Sequence, residues 1–132
     1  IKLTLKAAHK CFNFNSLFVL FQPHRFTRTR DLMDEFVMGF TASLNNSDRL
    51  FLMDIYPAGE KPIEGINSAQ LSDRIVKAGF KNLRYIPDKK EMTEAIISEL
   101  KSGDVLITLG AGDIYKMGEE ILDELRVKSD AL

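Results

Sequence analysis

A single cysteine, Cys11, in 132 residues excludes an internal disulfide and a thiolate metal cluster, and is ordinary for a reducing compartment such as the cytoplasm. No apolar run approaches the roughly 18 residues needed to span a bilayer, and no short apolar block follows a basic start, so neither membrane insertion nor export is expected. A charge excess is also missing. The 18 Lys and Arg against 19 Asp and Glu leave a net charge of −1, which gives no global field for binding nucleic acid or a membrane surface. Any anion site has to be local. No Gly-Lys-Ser/Thr phosphate loop occurs, no His/Cys/Asp spacing suits zinc or another metal, and there is no serine nucleophile elbow. The paired acids and late strand-end lysine of a phosphoryl-receiver domain are absent as well, as are repeats, linkers and low-complexity tracts.

What is present has the composition of one globular domain, with 45% hydrophobic and 28% charged residues in a length that supports a single core. The charge is unevenly placed: residues 1–50 hold seven Lys/Arg and four Asp/Glu, net +3, and residues 51–132 hold eleven and fifteen, net −4. Ile1 to His9 reads as a helix in progress without the Ser, Thr or Asp that would begin one, as in a piece cut from a longer chain.

Apolar runs alternate with helical patterns. Leu17–Phe21, Leu50–Met53 and Val105–Leu109 are short and continuously apolar, as strands buried on both faces of a parallel sheet are, and Leu83–Ile86 is a weaker fourth. Leu32, Phe36, Phe40 and Leu44, with Met33 and Val37 beside them, mark a helix after a Thr29 cap, closed by Asn45 and Asn46. A helix from Asn67 or Ser68 should bury Leu71, Ile75 and Val76 and stop at Gly79; another, opened by Asp88 and Glu91, should bury Met92, Ala95, Ile96 and Leu100 and end at Gly103. The last helix is expected from about Ile114 to Arg126 on Ile114, Met117, Ile121 and Leu125. Strand and helix in alternation predict an α/β fold in three layers: an open, mostly parallel sheet with helices on both faces.

In such sheets ligands collect beyond the carboxyl ends of the strands, where helices present free N–H groups. After the first strand stand His24, Arg25, Arg28 and Arg30, three guanidinium groups and an imidazole within seven residues. Guanidinium forks match carboxylate or phosphate oxygens, and cations at the positive end of a helix oppose its dipole unless something negative is held there. The competing reading leaves Arg28 and Arg30 solvated and His24 in a turn. After the second strand, Asp54 and Tyr56 begin an irregular stretch to Ile66; Asp54 could orient a cation, a ribose hydroxyl or an arginine, or cap a turn. After the last strand, Gly110, Ala111 and Gly112 form a small-residue turn that a ligand could approach closely. It is not the dinucleotide fingerprint, because the third glycine is replaced by Tyr115 and the turn follows the last strand.

The run from Phe21 to Asp31 (FQPHRFTRTRD) closely resembles the arginine-rich motif of the Mur ligases that add L-alanine to UDP-N-acetylmuramate in peptidoglycan synthesis. Met53–Glu60 with Pro62-Ile63, Gly103–Val105 and Gly110–Ile114 resemble that family's further motifs in the same order. The resemblance covers nearly the whole chain and implies a Rossmann-like carboxy-terminal domain over residues 1–132, separate from amino-terminal UDP-sugar and central ATP-binding domains. It further implies an ATP- and magnesium-dependent amide ligase, in which an acyl phosphate of the sugar's lactyl carboxylate is attacked by the amine of alanine. This domain would bind the amino acid and close over the nucleotide, be inactive alone and hold no cofactor by itself. His24, Arg25 and Arg28 are then the substrate-binding residues, and Asp54, Tyr56, Gly110, Ala111 and Gly112 face or support the nucleotide. Paired arginines would fix the alanine carboxylate and leave its amine aimed at the acyl phosphate, which is catalysis by positioning. The family's Tyr-Gly-His-His-Pro run does not occur in this chain, and Phe26 replaces a tyrosine common at that position. Two other readings compete: a non-catalytic anion-binding or interaction module, and the same domain of a Mur ligase for a different amino acid.

Overall fold

A computed structural model of the chain describes residues 1–110 and 112–131. The elements in order are α1 (Lys2–Cys11), β1 (Leu17–Gln22), α2 (Phe26–Ser43), β2 (Arg49–Leu52), α3 (Ser68–Lys77), β3 (Leu83–Tyr85), α4 (Lys89–Glu99), β4 (Val105–Gly110) and α5 (Ile114–Ala131). The strands form one sheet in the order β3-β2-β1-β4, and every pairing is parallel. No helix among the described residues is long and apolar enough to cross a membrane.

Alternation along the strands divides the core into two. Leu17, Val19 and Phe21 of β1 with Leu50 and Leu52 of β2 face α1, α2 and α3, whose Leu5, Met33, Val37, Phe40, Leu71 and Ile75 are buried against them. Phe18 and Leu20 with Phe51 point the other way, onto Met92 and Ile96 of α4 and Ile114, Met117 and Ile121 of α5. The three layers expected from the sequence are thus present, and the sheet is wholly rather than mostly parallel. Chain order makes the decisive turn between β3 and β4: the chain first builds outward through β1, β2 and β3, then returns on the opposite face to place β4 on the far side of β1. The strand order therefore reverses between β1 and β4, which is where an open α/β sheet leaves a crevice at its carboxyl edge.

Several boundaries differ from the sequence expectation for identifiable reasons. The apolar strip of α2 is centred on Met33, Val37, Phe40 and Leu44; Leu32 and Phe36 are only partly buried because they border a cavity. Helix α2 stops at Ser43, before Asn45 and Asn46, and α4 stops at Glu99, leaving Gly103 with φ 92° in the turn before β4. Val76 is 37% exposed, one position off the buried line of Leu71 and Ile75. Asn67 caps α3 by accepting from the Gln70 N–H at 2.8 Å, and Asp88 caps α4 through the Glu91 N–H at 2.9 Å, both as expected. β4 has the sequence of a doubly buried strand but is only half-buried, since it pairs with β1 alone and forms an edge. Helix α5 runs past Arg126 to Ala131.

One buried polar junction ties α1 to the rest. The Asp48 carboxylate, 1% exposed, accepts from the Leu17 N–H at 3.0 Å, the Asn45 N–H at 2.8 Å and His9 Nε2 at 2.9 Å. It joins the start of β1, the end of α2 and α1, and a carboxylate is kept in the interior by that set of donors.

The close approach of β1 and β4 constrains one glycine. A Cβ on Gly110 would lie 2.0 Å from the Gln22 carbonyl oxygen, and its φ of 119° is unfavourable for any other residue, whereas Gly79 shares that φ with nothing within 4 Å. Gly79→Ala should cost only the conformational term of ~1–3 kcal/mol. Gly110→Ala should cost clearly more, and parallel denaturant titrations of the two variants would measure the difference.

Candidate functional site

The carboxyl edge is laced together by continuing strand pairing into the loops. The Met53 N–H donates to Phe21 O at 3.0 Å, the Tyr56 N–H to Pro23 O at 2.9 Å, and the Arg25 N–H to Tyr56 O at 2.8 Å, so that His24 and Tyr56 form a parallel bridge beyond the strand ends. The His24 and Tyr56 rings stack, with centroids 6.0 Å apart and planes inclined by 22°. On the other side, a Cβ on Gly112 would come within 3.3 Å of the Tyr56 ring. His24, Tyr56 and Gly112, from three different strand ends, are thereby brought together. Ala111, between the two glycines, lies outside the described residues.

The arginine run does not form a loop before a helix. Helix α2 begins at Phe26 with Arg25 at its cap position, so Arg28 and Arg30 lie in its first two turns. Thr29 is not the cap: it is fully buried, and its hydroxyl donates back to Arg25 O at 2.7 Å. The capping group comes instead from Glu60, 34 residues away. Its carboxylate accepts from the Phe26 N–H at 2.8 Å, the Thr27 N–H at 3.1 Å and the Thr27 hydroxyl at 2.6 Å. The hydroxyl and N–H of Thr27 are the main causes that hold the Glu60 carboxyl below its ordinary range; burial opposes them, and the Phe26 N–H and the Arg25 charge each add a smaller lowering. The anion expected at this helix start is therefore in part the chain's own.

Arg25 carries backbone strain, with φ 67° and ψ 146°, a conformation that residues with a side chain rarely adopt. Its guanidinium and that of Arg28 are exposed. Arg30 pairs with Asp31 at 3.0 Å, Arg49 and Arg84 share Glu99, Arg74 pairs with Asp34, and Arg126 reaches Asp123. Among the described residues, Arg25 and Arg28 are the arginines with no carboxylate partner. A cavity of about 710 Å³ opens beside Arg28 at the crevice between β1 and β4. Gln22, His24, Leu109 and Gly110 form its edge, and Arg28, Leu32, Glu35 and Phe36 bring one face of α2 to it. Arg25, three residues earlier at the helix start, does not line it.

Asp54 is engaged otherwise than with a cation. The Tyr85 hydroxyl donates to its Oδ1, and the Gln22 amide donates to its main-chain oxygen at 3.2 Å. Burial first, then the Asp54 hydrogen bond and charge, push the Tyr85 phenol up to about 12. Glu60 entered the sequence reading only as the end of the Met53–Glu60 motif and Tyr85 only within the Leu83–Ile86 strand, and neither was given a role, since the partners of each are more than 30 residues away. Gly110 and Gly112 are accounted for by close packing on Gln22 and Tyr56. Among the described residues, no three His, Cys, Asp or Glu side chains converge to hold a metal ion.

Residues 1–112 match the sequence profile described as Mur ligase, glutamate ligase domain. The chain belongs to that family. Relatives of this Mur ligase domain include the UDP-N-acetylmuramate--L-alanine ligases of Solibacter usitatus, 42% identical over 128 residues, and of Geotalea daltonii, 44% identical over 126. The alignments cover 97% and 96% of the chain but 26% of each relative, so the chain spans about a quarter of their length. Among solved structures, a domain described as from a UDP-N-acetylmuramate:L-alanyl-gamma-D-glutamyl-meso-diaminopimelate ligase of Haemophilus ducreyi matches with a TM-score of 0.55 at 15% identity. That match covers 95% of the chain and 84% of the solved one, and shows the shared fold.

Stability linked to Tyr85 is present below the ordinary phenol range, near pH 10, and is lost as pH rises toward about 12, because the unfolded chain ionises first. Absorbance titration of phenolate should show a transition near pH 12 that moves down in Asp54→Asn but stays above the ordinary phenol value of 10, because burial, the largest cause, is kept.

Proposed function

We propose that this chain is the carboxy-terminal, amino-acid-binding domain of an ATP-dependent amide ligase that adds L-alanine to UDP-N-acetylmuramate. The observation that carries the reading is the pair Arg25 and Arg28 at the carboxyl edge, the two arginines among the described residues that lie within ion-pair distance of no carboxylate, where each of the others has one. Two guanidinium groups with no ion-pair partner among the described residues favour an external carboxylate, and a bidentate grip fixes its orientation as well as its charge. His24, stacked on Tyr56 at the cavity margin, stands beside them. The names of relatives above 40% identity supply the reaction class.

In this reading Arg25 and Arg28 hold the alanine carboxylate so that its amine faces the activated carboxyl of the sugar. Orientation replaces a general base, and the gain is that of turning an encounter between molecules into one within a complex. Asp54, Tyr56, Gly110 and Gly112 enter as residues that build the edge on the nucleotide side. Gly110 and Gly112 are packed on the Gln22 carbonyl oxygen and the Tyr56 ring, which leaves no room there for a side chain. ATP and magnesium are assigned to the rest of the enzyme, because this chain has no Gly-Lys-Ser/Thr phosphate loop, with amino-terminal and central domains as this domain's partners. The domain is inactive alone, and the enzyme works in the cytoplasm.

Arg25→Ala in the full-length enzyme should raise the Michaelis constant for L-alanine by ~10²-fold or more while leaving that for the UDP-sugar nearly unchanged. Steady-state kinetics with each substrate varied in turn would decide it. Equal effects on all substrates would contradict the assignment and favour a general structural role.

A further inference from the structure

Only two non-glycine residues among those described have a left-handed φ, Arg25 at 67° and Ala58 at 51°. They sit on the two sides of one contact. Ala58 and Gly59 are the central residues of a tight turn closed by the Glu60 N–H on Pro57 O at 3.0 Å, and that turn brings Glu60 to the start of α2. There the carboxylate holds Phe26 and Thr27, the residues that immediately follow Arg25. Strained backbone persists only where its surroundings over-determine it, and it gathers where a side chain must be held in one direction. On the other flank, Arg25 is fixed by its own N–H on Tyr56 O, and its carbonyl accepts from the Thr29 N–H at 3.1 Å and the Thr29 hydroxyl.

We infer that Glu60 is a positioning residue for substrate binding: by gripping the two residues after Arg25 it holds the strained backbone that aims the Arg25 guanidinium at the incoming carboxylate. The inference rests on the assignment of Arg25 above. It also explains the apparent conflict of placing a negative group between the helix start and the ligand's carboxylate. Glu60 occupies the backbone donors of α2, so the ligand is met by a side chain that can release it and not by the helix end itself. The Thr27 hydroxyl completes the grip, which makes the charge of Glu60 separable from its hydrogen-bonding reach.

The test uses the full-length enzyme with Glu60→Ala, Glu60→Gln, Thr27→Val and, as a control on the same loop, the exposed Glu64→Ala. Glu60→Ala should raise the Michaelis constant for L-alanine at least ~10-fold, with kcat at saturating alanine and the UDP-sugar constant within about twofold of wild type. Glu60→Gln, which keeps an accepting oxygen, and Thr27→Val should move the same constant less, and Glu64→Ala should not move it. Because Glu60 acts through Arg25, the double variant Glu60→Ala/Arg25→Ala should match Arg25→Ala alone. Hydrogen exchange over residues 22–32 should quicken in Glu60→Ala while the rest of the domain stays protected, which separates a freed helix start from an unfolded domain. An unchanged alanine constant in Glu60→Ala beside a raised one in Arg25→Ala, or additive effects in the double variant, overturns the role of Glu60 and leaves Arg25 standing. An unchanged alanine constant in Arg25→Ala overturns the assignment of the site itself and this inference with it.

Discussion

The whole edge depends on where β1 lies. It lies between two neighbours, paired with β2 from Phe18 to Phe21 and with β4 over its full run from Leu17 to Gln22. That double pairing sets Gln22 opposite Gly110 and brings the residues after β1 between the loops that follow β2 and β4. The register leaves so little room that the last rung requires a residue without a side chain. Bridge, ring stack and helix start all follow from a chain leaving this central strand with its neighbours already in place.

The sequence was most legible where interactions are local. Continuous apolar runs marked the strands and near-four apolar spacings marked helices α2 to α5, and the Asn67 and Asp88 caps could be read because donor and acceptor are three residues apart. Burial was less legible at the margins. Val105–Leu109 has the composition of a central strand, yet composition does not encode sheet order, and β4 lies at an edge. The start of α2 was misplaced for a related reason. A search for the nearest Ser, Thr or Asp finds Thr29, while the cap is supplied through space by Glu60.

The site was legible as a cluster of residue types but not as a geometry. His24 and Arg28 do border a common cavity, whereas Arg25 stands apart from it on a strained backbone, and Arg30 is paired with its neighbour Asp31. Asp54, read as a group for a cation or a ribose, is bound to the Tyr85 hydroxyl. The glycines of the last turn answer to Gln22 and Tyr56. A motif names the residues present, and only the three-dimensional neighbours reveal which of them are already committed within the chain.

The two margins of the sheet are unlike. β3 is three residues long, carries Arg84 at its centre and is followed by Pro87, features that discourage a further strand from joining it. β4 runs for six residues without a charge or a proline, and its outer row of backbone donors and acceptors pairs with nothing among the described residues. An extended segment meeting this molecule therefore finds one guarded border and one unguarded one. Of the two borders, β4 is the one that lacks those features.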